Sequence, residues 1–170
     1  MTNTSFSHRY VLALGSNRPL SAQRPPARLL REAASLVSEL GEVRATAPVI
    51  MTSPLGPSTR LFANSALLVD SPFPPEAMLA RLQQIEDRLG RRRHRRWGTR
   101  TMDIDIILWS GGRWHSRSLQ IPHPAFRTRA FVLTPLNAIV PHWRDPVSGL
   151  SIRHLSARMR KATPKLRPRG

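Results

Sequence analysis

The apolar residues of this chain fall into runs whose spacing switches repeatedly between that of a strand and that of a helix. Arg9 to Leu14 is a short apolar run stopped by Gly15 and reads as a central strand. Beyond Pro25 and Pro26, Leu29, Leu30, Ala33, Leu36, Val37 and Leu40 recur at helical spacing, predicting a helix to about Leu40 with Gly41 as its C-terminal stop. Val43, Ala45, Ala47 and Val49 alternate with other residues and predict a strand. Thr52 to Thr59, with Pro54, Gly56 and Pro57, reads as a loop, and Leu61 to Val69 as another strand. Pro74-Pro75-Glu76 opens a second helix whose apolar stripe, Met78, Leu79, Leu82, Ile85 and Leu89, runs to Gly90. Gln83 and Glu86 lie off that stripe and are expected to be free to face a site. Met102 to Trp109 is the next strand, which completes β-α-β-β-α-β, the ferredoxin-like pattern of an α+β fold with helices packed on a sheet.

The remainder adds a C-terminal hairpin and helices. Ser110-Gly111-Gly112 turns into a short strand near Trp114, and Leu119 to Pro124 is extended because prolines bracket His123. Arg127 to Val140 is partly helical, with Pro135 expected at a helix start or break. An amphipathic helix is predicted from Ser148 to about Ala162. Residues 1–162 are expected to form a single domain, followed by a basic, disordered tail over 163–170.

Composition narrows the chemistry. A chain of 170 residues suffices for one domain burying roughly 70% of its unfolded surface. With no cysteine, disulfides, thiolate catalysis and zinc–thiolate centres are excluded, leaving oxygen and imidazole ligands. No apolar run approaches the roughly 20 residues of a membrane span, so the expectation is a cytoplasmic protein without membrane partners. The net charge of +17 comes from 25 arginines and 2 lysines against 10 acids. Such a field attracts nucleotides and nucleic acid alike.

Two carboxylates interrupt the apolar run after Met102. In a strand, Asp103 and Asp105 share a face, roughly 7 Å apart at the backbone, while Ile104, Ile106 and Leu108 point the other way. Asp-x-Asp alone fits two readings: a hard-oxygen site for a divalent cation, with Mg²⁺ foremost, or a solvated face whose aspartates pair with Arg100. The upstream run favours the first. Arg88, Arg91, Arg92, Arg93, Arg95, Arg96 and Arg100 repel one another unless anions answer them, and guanidinium forks match phosphate oxygens. Carboxylates to hold Mg²⁺ and arginines to neutralise a polyphosphate are the requirements of phosphoryl-type transfer. A Walker loop is not available, since neither Lys161 nor Lys165 follows a glycine-rich turn.

Arg96-Trp97-Gly98-Thr99-Arg100-Thr101-Met102-Asp103-Ile104-Asp105-Ile106-Ile107 closely resembles the signature of the hydroxymethyl-dihydropterin pyrophosphokinases of folate biosynthesis. Ala13-Leu14-Gly15-Ser16-Asn17, Pro54-Leu55-Gly56-Pro57 with Asn64, and Ile121-Pro122-His123-Pro124 with Arg129-Ala130-Phe131 follow the family's order, so the resemblance spans about residues 9 to 145. It implies the same ferredoxin-like fold. It also implies transfer of diphosphate from ATP, the co-substrate, to the hydroxymethyl group of 6-hydroxymethyl-7,8-dihydropterin, with release of AMP.

The roles implied by resemblance are specific. Asp103 and Asp105 hold two Mg²⁺ ions that bridge the ATP phosphates, and Arg91 and Arg100 contact the phosphates being parted. Phe62 and Phe131 sandwich the pterin, Asn64 reads its edge, and Thr52 and Leu55 offer backbone groups. Gln83, Glu86, Arg93, Trp97, His123 and Arg129 lie on the ATP side, with Ile106 supplying backbone to the adenine. Trp97 closes over the site, and His123 sits near the α-phosphate, too far in sequence from the aspartates to suggest a shared metal. The chain departs from the family's pattern at Ser53, Phe62, Thr99, Ser118, Gln120 and Pro124, which bears on nucleotide affinity and leaves room for a related pterin.

A basic RNA- or DNA-binding module on a ferredoxin-like sheet is the rival. Such sheets read nucleic acid with exposed aromatics on adjacent strands. Aromatics make up only 6% of this chain, and two acids occupy the strand where a stacking platform would lie, so specific nucleic-acid binding is not expected.

Overall fold

The computed structural model describes residues 6–53, 60–90 and 101–162. Strands β1 (His8–Ser16), β2 (Glu42–Thr46), β3 (Ile50–Thr52), β4 (Phe62–Ser71) and β5 (Asp103–Trp109) form one antiparallel sheet in the order β2-β4-β1-β5. Helix α1 (Pro26–Val37) joins β1 to β2, and α2 (Pro75–Arg88) joins β4 to β5. This is the ferredoxin-like arrangement. Each of these helices begins with proline at its first position, where an amide would have no helical partner in any case. A two-stranded hairpin, β6 (Trp114–His115) with β7 (Gln120–Ile121), and helices α3 (Ala130–Ile139) and α4 (Ile152–Ala162) follow in the described residues.

The sheet carries a core on each face. Leu12, Leu14, Leu67, Val69, Ile104 and Ile106 pack on one side with Leu29, Leu30, Ala33, Met78, Leu82 and Ile85 from α1 and α2. Val11, Ala66, Ile107 and Leu108 pack on the other with Val132, Leu133 and Leu136 of α3 and Ile152 and Leu155 of α4. Among the described residues no helix is long and apolar enough to cross a membrane.

Several sequence expectations are corrected. Leu108 does not share a face with Ile104 and Ile106: the β1–β5 register shifts between Val11 and Leu12, and the resulting bulge at Ile107 turns Leu108 to join Ile107 on the side of α3 and α4. The strand predicted over 43–49 is two, because Pro48 brings no amide to the ladder; Ala47 N still donates to Ala66 O at 2.9 Å, and β3 then resumes pairing with β4. Pro135 neither starts nor breaks a helix but lies inside α3, buried in the core it helps to build. The last helix starts at Ile152, since Ser148 belongs to a loop closed around Asp145. The tail, 163–170, lies outside the described residues.

Gly41 is not a left-handed helix stop either, for α1 ends at Val37 with Ser38 capping in the right-handed region. Gly41 is needed because β4 passes over it: an added Cβ would lie 2.1 Å from the Asp70 carbonyl oxygen. Backbone on both sides cannot yield cheaply, so Gly41→Ala is expected to lower unfolding stability by about 2 kcal/mol, the scale of overpacking. A change in the chemical-denaturation midpoint equivalent to less than 0.5 kcal/mol (roughly the scatter of neutral surface substitutions) would show that the turn relaxes freely. Gly90, by contrast, ends α2 at φ +87°, as the sequence predicts.

Candidate active site

The register of the sheet assembles the site. Gly15 of β1 stands opposite Asn64 of β4 on one side and Asp103 of β5 on the other. One step along, Ala13 stands between Ala66 and Asp105. Directly paired residues in an antiparallel sheet project from the same face, so Asn64, Asp103 and Asp105 share one surface, the surface that α3 covers further along. Between the amide and the carboxylates the floor is Gly15 and Ala13, both partly exposed, while Ala66 beside them is sealed in the core under α3. A Cβ on Gly15 would meet only Asn64 Oδ1, at 3.4 Å. The small residues therefore leave a hollow where larger ones would fill it.

Asn64 is buried and held in orientation: its Nδ2 donates to Thr52 Oγ1 at 2.7 Å across the β3–β4 pair. Phe62, two residues earlier on β4, lies on the same face, and Phe131 comes to that side from the first turn of α3, half-buried against the core there. Arg129, immediately before α3, carries its guanidinium 5.9 Å from the Phe131 ring centre.

His123 reaches the aspartates despite its separation from them in sequence. Its amide donates to Ile107 O at 3.0 Å, which lays the segment after β7 along β5. Its Nε2 stands 4.0 Å from Asp105 Oδ2, while Nδ1 accepts a hydrogen bond from Ala125 N at 3.2 Å. Burial first, then Arg129, push the imidazole pKa below its ordinary value, against an upward pull from Asp103. The ring is accordingly neutral at pH 7, with its proton on Nε2, the atom facing the carboxylates. His123, Arg129, Asp103 and Asp105 thus form one cluster of mixed charge.

Gln83 and Glu86 occupy adjacent turns of α2, on the other side of the sheet from Asn64. Gln83 is half-buried. Glu86 is not free to face a site, as its place off the stripe suggested: it is 2% exposed and accepts a hydrogen bond from Ile104 N at 2.7 Å. The Ile106 side chain is buried in the α1–α2 core, which leaves only its backbone for a ligand. Leu55, Arg91, Arg93, Trp97 and Arg100 lie outside the described residues. Among the described residues no group of three or more His, Asp or Glu side chains could hold a metal by itself.

The sequence pattern placed Gly15 at the end of the first strand, whereas it lies inside β1 and pairs with both neighbouring strands, and the Thr52 hydroxyl on Asn64 was not anticipated. A glycine inside an apolar strand was the available signal for the first. The second depends on the β3–β4 register and had none.

A ferredoxin-like sheet bearing paired carboxylates beside an arginine, a histidine and an oriented amide is equipment suited to an enzyme that handles phosphate esters. The sequence model of the 7,8-dihydro-6-hydroxymethylpterin-pyrophosphokinase (HPPK) family matches residues 11–141, and the chain belongs to that family. A 2-amino-4-hydroxy-6-hydroxymethyldihydropteridine pyrophosphokinase from Pseudomonas aeruginosa is 36% identical over 141 residues, covering 81% of this chain and 84% of that protein. The enzyme of the same name from Haemophilus influenzae is 34% identical over 128 residues, 74% of this chain and 77% of its own. Among solved structures, wild-type Plasmodium falciparum HPPK-DHPS superposes with a TM-score of 0.70 at 17% identity over 91% of this chain. An HPPK-DHPS in complex with substrates superposes with a TM-score of 0.69 at 15% identity over 89% of it. The chain spans less than half the length of those two structures, 42% and 43%, and at that identity the likeness concerns the fold.

Proposed function

We propose that this chain performs its family's reaction: transfer of diphosphate from ATP to the hydroxymethyl group of 6-hydroxymethyl-7,8-dihydropterin, releasing AMP, in folate biosynthesis. The observation that carries the reading is the row Asn64–Gly15–Asp103 on one sheet surface, with Asp105 beside it. A flat heterocycle fits a floor with no side chain larger than a methyl; the amide of Asn64 supplies a directional partner at its edge, and Phe62 and Phe131 supply faces for stacking.

Asp103 and Asp105 are the residues that would hold Mg²⁺. Their donor set fits: two hard carboxylate oxygen donors on one surface, with Asp105 about one-third exposed, and, among the described residues, too few further ligands for an ion held by protein alone. Mg²⁺ is characteristically bound by one or two carboxylates together with substrate phosphates and water. When bound with ATP, the metal offsets charge on the bridging phosphate oxygens. The pterin hydroxymethyl oxygen attacks the β-phosphorus and AMP leaves with the oxygen that joined the α- and β-phosphates. No side chain is needed as a strong base if the two substrates are held in line. His123 contributes a neutral Nε2–H donor and Arg129 a cation on the side where a polyphosphate would enter.

Along the outer side of β5, strand alternation puts the Ile106 amide on the same edge as the Ile104 amide. That supports backbone recognition of the adenine there. We assign Gln83 to the same nucleotide side, and Leu55, Arg91, Arg93, Trp97 and Arg100 to the roles that the family's motif implies.

The deciding experiment is AMP release from ATP and Mg²⁺ with and without the dihydropterin; release that does not depend on the pterin would refute the reading. Asn64→Ala is expected to weaken pterin binding about tenfold or more, as loss of a buried, oriented hydrogen-bond partner does, while ATP affinity changes less than twofold. Equal losses for both ligands would mean that the pterin lies elsewhere.

A further inference from the structure

We infer that Glu86 is a positioning residue for the Asp103–Asp105 pair, acting through the backbone of β5 and not through the nucleotide. The inference rests on the metal reading of that pair. β5 ends the strand order, so among the described residues no strand pairs with its outer side. Ile104, the residue between the two aspartates, donates its amide to Glu86 Oε1 at 2.7 Å. Its side chain is sunk in the α1–α2 core, 4% exposed. Ile104 is thus gripped twice, by its side chain in the core and by its amide on a carboxylate from α2. Its neighbours on either side, Asp103 and Asp105, project from the opposite face at a spacing which that grip sets.

A second fastening lies further along the same edge, where His123 N donates to Ile107 O at 3.0 Å. The two fastenings bracket Asp105. Edge strands fray when their outward amides are left to water, and ligand positions displaced by a fraction of an ångström lose affinity. A carboxylate as deeply buried as Glu86, 2% exposed, is costly to keep unless it accepts hydrogen bonds. The backbone bond to Ile104 supplies one, and it makes α2 the support on which the β5 carboxylates rest.

The test compares Glu86→Leu, which removes the acceptor at similar volume, with Glu86→Gln, which keeps a carbonyl oxygen. Mn²⁺ binding in the presence of a non-hydrolysable ATP analogue is followed by electron paramagnetic resonance, without turnover. Pterin affinity is followed by fluorescence. The leucine variant is expected to bind Mn²⁺ about tenfold more weakly, the range for partners that orient metal ligands, and glutamine to recover most of that loss. Pterin affinity should stay within about twofold of wild type in both, since nothing in Asn64's surroundings is touched. Unchanged Mn²⁺ binding in the leucine variant overturns the proposal, as does a glutamine variant as impaired as leucine, which would make charge the operative property. Loss of nucleotide affinity at saturating metal with Mn²⁺ affinity intact overturns it in favour of direct contact. If wild-type protein binds no Mn²⁺, the metal reading itself fails, a different result from any of these. Hydrogen exchange on the unaltered protein keeps the question open to refutation even if the leucine variant does not fold: the Ile104 amide should be protected, and exchange at its intrinsic rate would overturn the grip.

Discussion

Asp103→Asn and Asp105→Asn are each expected to cut AMP release by roughly a thousandfold, the rate equivalent of several kcal/mol of lost charge stabilisation. Asparagine matches aspartate in shape, and both positions are only half-buried on the sheet surface, so the fold should survive. The expected loss comes from exchanging a full negative charge for a neutral amide where a divalent ion and a polyphosphate have to be held together. Single-turnover rates at saturating ATP, pterin and Mg²⁺, with circular dichroism as the control for folding, separate the two effects. Rates within threefold of wild type in both variants (well short of that thousandfold) would remove the metal from these carboxylates and take the proposed site with it.

The largest effect on stability should come from Asp145→Ala. The Asp145 carboxylate has no exposed surface and collects five hydrogen bonds: two from Arg127 at 2.6 and 2.7 Å, one from the Ser148 hydroxyl at 2.6 Å, and the amides of Val147 and Ser148. Together they close the loop before α4 and so fix how α4 packs beside α3, the helix that brings Phe131 to the site. Removing one partner leaves the Arg127 guanidinium, itself 26% exposed, without its counter-charge. Breaking such a pair costs 3–5 kcal/mol when both charges are buried, and partial exposure of Arg127 puts the expected loss near the lower end, about 3 kcal/mol at pH 7.

The same geometry sets a pH dependence. Burial resists ionisation of Asp145, but Arg127, Ser148 and the Val147 amide outweigh it and hold the carboxyl well below the usual carboxylate range. Hydrogen bonds from Arg9 lead those that bring Asp70 down to about 2. For a group whose pKa is lower folded than unfolded, the stabilisation is fully present above the unfolded value and disappears as pH falls through the folded one. Wild-type stability should therefore fall between about pH 4 and pH 2, and the penalty of Asp145→Ala should shrink over the same interval. Denaturation midpoints at pH 7 and pH 3 measure it. A penalty under 1 kcal/mol at pH 7 (about that of an ordinary surface ion pair), or one unchanged at pH 3, would contradict the assignment.

Much of the molecule was legible along the chain because its information is local. Period-two alternation puts Asp103 and Asp105 on one face, helical spacing finds α1 and α2, and glycine with positive φ ends α2. The motif around the aspartates, with three others in order, points to the family. What failed was wherever a neighbour in space overruled the local pattern. The bulge at Ile107 reversed Leu108, β4 passing overhead explains Gly41, and helix packing absorbed Pro135. Glu86 sits off its helix's apolar stripe, yet it is buried because an amide of β5 needed an acceptor. That demand exists only once α2 and β5 are side by side.

By itself, then, the sequence determined the main helices and strands of the sheet, their order, the shared face of the two acids and the family. Only the tertiary structure decided which residues meet: Asn64 across Gly15 from Asp103, Thr52 on Asn64, His123 beside Asp105, and Glu86 on Ile104. The reason is physical. Alternation and helical period are properties of neighbouring residues, whereas register and edge hydrogen bonds arise between segments that the chain brings together from dozens of residues apart, where no local spacing encodes the partner.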